Sequence, residues 1–327
     1  MTTRSVLEAV RRKRVLVVGD VCLDRWCTYD PRLAEASRET GIPRIGVIAT
    51  ETTPGAGGTV ANNLVALGVE RVAVLGACGD DGFGYELFRA MEARGISPEL
   101  MVRSPEIPTF TYTKLLNSDT GAEDLPRVDF VVPYDMPAGI EEQTLKTLAA
   151  NAKDFDVILV SDQTETETGG LVTRNVRDAL SEIARKQPGT VVWTDSRVRG
   201  ELFRSVILKM NRDEADAACR RAGVSTFAQL RERTESPVLM VTEGQDGVQV
   251  LDGGVHRVPT KHNPHPVDIC GAGDSFSAGA ALALSVTKDP ALAARIGNLV
   301  ASITITKKGT GSASPEEVLR AEESWPA

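Results

Sequence analysis

Residues that form metal sites and disulfides are scarce in this sequence. It has five cysteines and three histidines among 327 residues, and it contains no Cys-x-x-Cys pair. An odd number of unpaired cysteines argues against a zinc site and a disulfide framework, and it favours free thiols in a reducing cytosol. His256, His262 and His265 crowd one segment, but its two prolines favour a solvated loop over a metal site. We therefore expect a cytoplasmic protein.

Long apolar runs and blocks of positive charge are also missing. No run approaches the ~20 apolar residues that a membrane span needs. The short apolar stretch from Val15 ends in Gly-Asp, which is typical of a first strand and not of a signal peptide. A formal net charge of −8 without a Lys/Arg block argues against a dedicated nucleic-acid binder. We expect neither a membrane nor a nucleic acid as a partner.

Two common nucleotide-binding patterns are absent as well. The sequence has no G-x-x-x-x-G-K-[ST] and no G-x-G-x-x-G after its first predicted strand. The segment GDDGFG (79–84) has a different glycine spacing and does not match the second pattern. A P-loop and a Rossmann dinucleotide site are therefore not predicted.

Short runs of Val, Ile and Leu, which do not alternate with polar residues, predict buried parallel strands. They cover 15–19, 72–76, 157–161, 191–195, 205–210 and 238–244. Helical patterns lie at 59–68, 82–94, 141–152, 169–186, 213–222 and 225–234, followed by 272–286, 289–306 and 315–323. This alternation predicts a doubly wound, mainly parallel α/β sheet with helices on both faces. Without repeats or a linker, we expect one domain over 1–327.

Two segments interrupt the alternation of strands and helices. Residues 24–53 and 105–135 carry short, partly alternating runs with Pro, Thr and Tyr, which read as antiparallel strands. We predict that they form a small β lid over one end of the sheet, suited to an enzyme that excludes water. A pair of surface hairpins is the alternative that the pattern leaves open.

The segment DICGAGDSFSAG (268–279) has the composition of an anion site. Gly271, Ala272 and Gly273 let a ligand approach the backbone, and the helix that follows turns its positive end toward it. Asp274 could then accept the proton of a hydroxyl that attacks a phosphate. Tight packing of the glycines, with Asp274 as a helix cap, is the alternative.

A second glycine-rich turn, PGAGGTVANN (54–63), also leads into a predicted helix. We expect it to contact substrate, because ligands of α/β proteins lie beyond the carboxyl ends of the strands. A loop with a helix cap at Thr59 is equally compatible with its spacing.

The segment DICGAGDSFSAG resembles the C-terminal signature of the ribokinase/PfkB family of carbohydrate kinases. GDVCLD (19–24), GDDGFG (79–84), NRDE (211–214) and VTEGQDG (241–247) resemble further family motifs, in family order, between about 14 and 320. The resemblance implies a ribokinase-like fold and ATP-dependent phosphorylation of a sugar or sugar phosphate, with Mg²⁺ and, in many members, K⁺.

A subgroup resemblance rests on VLVVGDVCLDRW (15–26), LPRVDF (125–130) and KKGTGSASPEEV (307–318). These stretches are similar to the kinase half of bifunctional ADP-heptose synthesis proteins, which phosphorylates D-glycero-D-manno-heptose 7-phosphate. The resemblance also implies a homodimer through the lid, which the apolar segment 105–116 permits.

The resemblance assigns roles to individual residues. Asp274 matches the catalytic base, and Gly271, Ala272 and Gly273 match the anion hole. The substrate-binding set is Asp24, Gly55, Gly57, Gly58, Thr59 and Asn63. Apart from the resemblance, Lys114 and Arg127 on the lid are candidates for binding a substrate phosphate, and a solvated surface position is the alternative for each. The nucleotide set is Asp195, Asn211, Thr242, Gly244 and Gly247. Asn211 and Glu214 match the pair that orders Mg²⁺ through water, and Asp268, Gly309 and Ser312 match a monovalent-cation site.

Three positions depart from the family pattern. Thr59 stands where the family has a sugar-binding Asn, Met210 replaces a Pro, and Ile269 replaces a Thr. Thr offers a single hydroxyl where Asn offers a donor and an acceptor. The substrate therefore stays open: a hexose or nucleoside kinase and a non-catalytic binding protein are the alternatives.

Overall fold

A computed structural model of the chain describes residues 1–164, 168–261, 263–323 and 325. The strands are β1 (Arg14–Gly19), β2 (Val21–Tyr29), β3 (Val47–Ala56), β4 (Arg71–Leu75), β5 (Ala77–Gly79), β6 (Val102–Ser104), β7 (Thr111–Asn117), β8 (Val128–Phe130), β9 (Val157–Asp162), β10 (Val191–Ser196), β11 (Ile207–Asn211), β12 (Leu239–Thr242), β13 (Val248–Leu251) and β14 (Val255–Val258). The helices are α1 (Thr3–Val10), α2 (Gly57–Ala66), α3 (Gly82–Glu92), α4 (Ala138–Asn151), α5 (Arg174–Lys186), α6 (Arg212–Ala222), α7 (Phe227–Arg233), α8 (Ala272–Thr287), α9 (Pro290–Thr304) and α10 (Pro315–Glu323).

The largest sheet has eight strands in the order β14-β13-β12-β11-β10-β9-β1-β4. The six predicted strands all belong to it and pair in parallel. Within β1, Val15 and Val17 join one core cluster, which includes α2, α8 and α9. Leu16 and Val18 join the other, which includes α4, α5 and α6. Burial on both faces explains the continuous apolar runs, and the predicted doubly wound arrangement is confirmed.

One edge of this sheet differs from the prediction. β13 and β14 form an antiparallel extension beside β12 that the sequence analysis did not assign. β14 is short and largely exposed, so its sequence lacks the apolar face by which a strand is identified. His256 lies in this strand, and the prediction of one loop over 256–265 is wrong at that residue. His262 lies outside the described residues.

The helices also depart from the prediction in places. α1 was not predicted, although Thr2 and Ser5 form a capping box at its start, with each side chain accepting the other's backbone N–H. α5 begins at Arg174 and not at 169, because the Thr173 hydroxyl accepts the Val176 N–H and caps it there. None of the described helices is long and apolar enough to cross a membrane.

A four-stranded sheet, in the order β3-β2-β7-β8, is built from the two segments predicted as a lid. β2 pairs with β3 and β7 with β8 in the expected antiparallel sense, but β2 and β7 are parallel. Only Asp20 separates β1 from β2, and β3 ends at Ala56 directly before α2. The chain therefore passes between the two sheets without linkers at these points.

Candidate active site

A cavity of about 480 Å³ lies between the four-stranded sheet and the carboxyl ends of the parallel strands. The predicted site residues that line it are Asp24, Thr59, Lys114, Arg127, Asp268, Gly271, Asp274 and Gly309. Residues that the sequence analysis did not assign also line it, among them Arg25, Trp26, Tyr112, Asp129, Gln163 and Arg197. The cavity thus unites the lid segments with the start of α8.

Asp274 lies in the first turn of α8, whose N-cap is Gly271. Gly271 has φ +77°, and a Cβ there would lie 3.2 Å from Thr59 Cγ2. Glycine therefore satisfies both the left-handed backbone and the close approach. The first N–H groups of a helix have no partner within it, although that of Ala272 donates to Ile269 O at 3.2 Å. The turn therefore offers its remaining donors and a positive dipole end to an anion in the cavity.

The proton affinity of Asp274 reflects the groups around it. Burial raises the pKa of its carboxyl to about 7, and the negative charges of Asp195 and Asp24 add to this effect. Lys209 and Arg197 oppose it and lower the pKa. A carboxyl with a pKa near neutrality can both lose and accept a proton in the physiological range, as a general base must.

Asp24 on β2 is the second carboxyl of the cavity. A Cβ at Gly55 on the paired strand β3 would lie 2.4 Å from Asp24 Oδ2, so only glycine leaves room for this carboxyl. The Cys22 thiol donates to Asp24 Oδ1 at 3.5 Å. Burial raises the pKa of Asp24 to about 6, although Lys114 and Arg127 act in the opposite direction.

The glycine-rich turn 54–63 supports the cavity mainly through its backbone. Gly57 N–H donates to Asp20 O at 2.9 Å, and a Cβ at Gly58 would lie 2.4 Å from Pro54 Cβ. Thr59 is buried and lines the cavity. Asn63 lies one turn further into α2, where its amide donates to Thr59 O at 3.0 Å. Asn63 is not among the described residues that line the cavity.

Asp20 ties the end of β1 to the loop after β9. One carboxyl oxygen accepts the N–H groups of Gln163 at 2.9 Å and Thr164 at 3.1 Å, and the other accepts that of Leu171 at 2.8 Å. These bonds fix both ends of the loop, of which Gln163 and Thr164 line the cavity. The residues between Thr164 and Thr168 lie outside the described part of the chain.

Basic side chains from the four-stranded sheet border the cavity. Arg127 pairs with Asp129 at 2.7 Å and lies over the Tyr112 ring, 5.1 Å from its centroid. Lys114 is 3.8 Å from Glu123, and both of these side chains are more than a third exposed. An exposed pair at that separation is weak, so Lys114 can exchange its partner for an anionic ligand.

Asn211 and Glu214 form a capping box at the start of α6. Asn211 Oδ1 accepts the Glu214 N–H at 2.9 Å, and Glu214 Oε2 accepts the Asn211 N–H at 2.7 Å. The motif NRDE therefore has a structural task in this chain. A carboxylate has two oxygens, so the capping bond leaves Glu214 able to accept from a metal-bound water.

The turn between β12 and β13 holds the glycines predicted for nucleotide binding. Gly244 has φ +57° and Gly247 has φ +87°. A Cβ at Gly247 would lie 2.2 Å from Val258 O, which only glycine avoids. Thr242 pairs in register with Asn211 of β11. The predicted nucleotide residues therefore lie at the carboxyl ends of β10, β11 and β12 and in the turn after β12, and they are not among the described residues that line the cavity.

A buried ion pair lies beneath the start of α8. Lys209 Nζ donates to Asp195 Oδ2 at 2.8 Å, and both side chains are 6% exposed. Asp195, predicted as a nucleotide ligand, also accepts the Ser277 hydroxyl at 3.0 Å. Lys209 was not predicted as a site residue, although a lysine within the apolar run SVILKM is a signal for one.

The residues predicted for a monovalent cation already have protein donors. Asp268 accepts the N–H groups of Cys270 at 2.9 Å and Gly309 at 3.2 Å. The Lys307 ammonium donates to Ser312 O at 2.6 Å. These contacts do not fit a K⁺ ion held jointly by Asp268, Gly309 and Ser312. Within the described residues, no group of three or more His, Cys, Asp or Glu side chains could hold a metal ion.

Comparison with known proteins decides the family. The model of the pfkB family carbohydrate kinases matches residues 12–317. The chain belongs to the PfkB family of carbohydrate kinases. It is therefore an ATP-dependent carbohydrate kinase by family, as the glycine-rich signature at 268–279 predicted.

The chain is similar to the bifunctional protein HldE of Pelobacter propionicus, with 29% identity over 337 residues. That alignment covers 97% of this chain and 64% of the relative. The chain thus spans less than two thirds of the length of this curated PfkB relative.

Solved structures confirm the ribokinase-like fold. Ribokinase from Thermotoga maritima has a TM-score of 0.68 at 22% identity, covering 95% of this chain and 99% of that one. Phosphofructokinase-2 from Escherichia coli, in complex with potassium, has a TM-score of 0.71 at 15% identity, with coverage of 95% and 99%. At these identities the likeness concerns the PfkB fold alone.

Proposed function

We propose that this PfkB kinase transfers the γ-phosphoryl group of ATP to a hydroxyl of a sugar phosphate, with a heptose 7-phosphate as the favoured acceptor. The observation that carries the proposal is the position of Asp274, at the start of α8 and in the same cavity as Asp24. Family membership supports the reaction class, and the similarity to HldE supports the acceptor.

The cavity residues divide the work of the reaction. Bound ATP supplies the phosphoryl group. Asp24 and Thr59 bind hydroxyls of the acceptor, and the Asp274 carboxylate takes the proton of the attacking hydroxyl. The N–H groups of Gly271, Ala272 and Gly273 are assigned to the negative charge that develops on the transferred group, for which that of Ala272 must leave Ile269 O.

The nucleotide and its magnesium ion are assigned to the carboxyl ends of β11 and β12. We assign the turn with Gly244 and Gly247 to the nucleotide, because it lies beside Asn211 through the β11–β12 pairing. Glu214 keeps a carboxylate oxygen for a water of Mg²⁺, which prefers oxygen ligands and retains several waters.

Lys114 and Arg127 are assigned to the phosphate of the acceptor. Both line the cavity, and both influence the Asp24 carboxyl electrostatically. Arg and Lys side chains are the usual partners of a phosphate. The long Lys114–Glu123 contact leaves Lys114 available to one, whereas Arg127 must exchange its closer pair with Asp129 for the phosphate. A simple hexose carries no anionic group that could replace Glu123 and Asp129 as partners of these side chains.

The four-stranded sheet is assigned two tasks, closure of the cavity and dimerisation. Its strands and adjoining loops expose several apolar side chains, which are Ile42, Ile45, Val47, Ile48, Val128 and Val131. Exposed apolar surface of this kind marks an interaction site, and it supports a homodimer through this sheet. The free cysteines support a cytoplasmic location.

ADP release with Mg-ATP tests the proposal over heptose phosphates, hexose phosphates, hexoses and nucleosides. We expect turnover of a sugar phosphate and a loss of several orders of magnitude in Asp274→Asn. Asp178→Asn is the matched control, because Asp178 is exposed on α5. If the enzyme prefers an unphosphorylated hexose or a nucleoside, the proposed sugar-phosphate acceptor is wrong and the preferred compound takes its place. Binding of ATP without turnover of any acceptor would refute the kinase and favour a binding protein.

A further inference from the structure

Lys209 interrupts a strand that is otherwise built for burial. Its neighbours Leu208 and Met210 are both 1% exposed, and Lys209 itself is 5% exposed. Leu208 and Met210 face the cluster that includes α4 to α6, so Lys209 faces the opposite side, where α8 packs. Removing an ammonium group from water is costly unless it is paired. A lysine at such a position needs a specific reason.

Two elements hold the ammonium group in place. Asp195 is the register partner of Lys209 on the adjacent strand β10, and its Oδ2 accepts from Nζ at 2.8 Å. The same oxygen accepts the Ser277 hydroxyl of α8 at 3.0 Å. The pair is therefore joined to the helix whose first turn lines the cavity.

The ammonium group lies directly against the backbone of that first turn. A methyl group at Gly273 would lie 2.8 Å from Lys209 Nζ, so glycine is what permits the approach. Lys209 Nζ donates to the Asp195 carboxylate at 2.8 Å, so the buried pair places an ammonium group beside this turn.

We propose that Lys209 is a positioning residue of the phosphoryl-transfer site: its ammonium, held by Asp195 beneath Gly273, is a fixed positive charge that favours both an anion at the start of α8 and the ionised form of Asp274. This inference rests on the proposed function and deepens it. The Lys209 ammonium adds a positive charge to the helix dipole and the backbone N–H groups at the start of α8. It acts through the first turn of α8 and does not contact the substrate.

The charges that face Asp274 fix the sign of the expected effects. Asp24 on β2 and Asp195 on β10 raise the pKa of Asp274, while Lys209 on β11 and Arg197 after β10 lower it. Removal of the Lys209 charge must therefore raise the pKa of Asp274. Removal of the Asp195 charge must lower it.

Two measurements on the whole chain test this assignment. The first is the pH dependence of kcat/KM, whose acid limb reports the free base. The second is a ¹³C titration of carboxyl-labelled aspartates without ligands, in which the Asp274 signal is identified by its loss in Asp274→Asn. In Lys209→Met we expect both the limb and the signal to move to higher pH by about one pH unit, the size of effect that a neighbouring charge exerts. In Asp195→Asn both move to lower pH, and Lys209→Arg stays near the wild type.

The inference would be overturned if Lys209→Met lost activity at every pH while the acid limb of kcat/KM and the ¹³C signal of Asp274 did not move. Lys209 would then have only a structural role. If Lys209→Met does not fold, Lys209→Gln, a neutral side chain that can still donate to Asp195, takes its place with the same expected direction. A wild-type protein that turns over no acceptor would refute the proposed function, and the ligand-free titration would still decide whether Lys209 acts on Asp274.

Discussion

Replacing the proposed general base should make the folded protein more stable, because Asp274 is held in an environment that disfavours its charge. Its pKa rises from the ordinary 3.8 to about 7 in the fold. The folded state therefore binds a proton more tightly than the unfolded state, and the free energy of unfolding falls as pH rises from about 4 to about 7. An asparagine side chain at this position cannot ionise, so the substitution Asp274→Asn removes this loss.

The size of the gain follows from the pKa difference. A rise of about three pH units corresponds to about 4 kcal/mol at most. Asp274 is partly exposed in the cavity, and a negative charge in the first turn of a helix is itself favourable by roughly 0.3–1 kcal/mol. We therefore expect Asp274→Asn to raise the free energy of unfolding by about 2 kcal/mol at pH 8.

Urea unfolding followed by circular dichroism measures this gain at pH 8 and again at pH 4.5. The wild type and Asp274→Asn should differ at pH 8 and converge at the lower pH, where the folded wild type is protonated. Asp178→Asn, on the exposed face of α5, should match the wild type at both values. A variant that is no more stable at pH 8, or whose gain is the same at both pH values, would refute the reasoning about the Asp274 environment.

Three further predictions concern ligand binding. Lys114→Met and Arg127→Gln should raise KM for a sugar phosphate and leave KM for its unphosphorylated sugar unchanged; an equal effect on both acceptors would remove these residues from the phosphate site. Gly55→Ala should displace Asp24, since a Cβ would lie 2.4 Å from its carboxyl oxygen, and should raise KM for the acceptor roughly tenfold to hundredfold. Gly189→Ala is the control, because nothing lies within 4 Å of a Cβ there. Unchanged kinetics in Gly55→Ala would show that the acceptor does not bind at Asp24. Replacing K⁺ by Na⁺ should change turnover little, because the Lys307 ammonium already occupies Ser312 O, and a large loss would show a cation site elsewhere.

The sequence was sufficient for features whose signal is local. The buried strands were predicted from runs such as VLVVG and VILVS, because each run is covered on both faces. The cluster from Gly271 to Asp274 was predicted because small residues and a carboxylate at a helix start are contiguous in the chain. The spatial meeting of Asp274 with Asp24 followed from the family resemblance, not from spacing.

Features that depend on pairing between distant segments could not be predicted from the sequence. The role of Lys209 arises only when β11 pairs in register with β10, which brings it beside Asp195. β14 has too few buried side chains to be identified as a strand. The capping box of Asn211 and Glu214 gives the N-x-x-E motif a local structural task that the resemblance alone did not reveal.

The junction at Asp20 has a mechanical consequence for the cavity. β2 leaves the large sheet through Asp20 alone, and the returning chain meets it there, where Gly57 N–H donates to Asp20 O at 2.9 Å. The Asp20 carboxylate is at the same time bonded to both ends of the loop after β9. Any displacement of Asp20 with the four-stranded sheet would therefore also act on Gln163 and Leu171, so the position of this sheet and that of the chain after β9 are mechanically coupled.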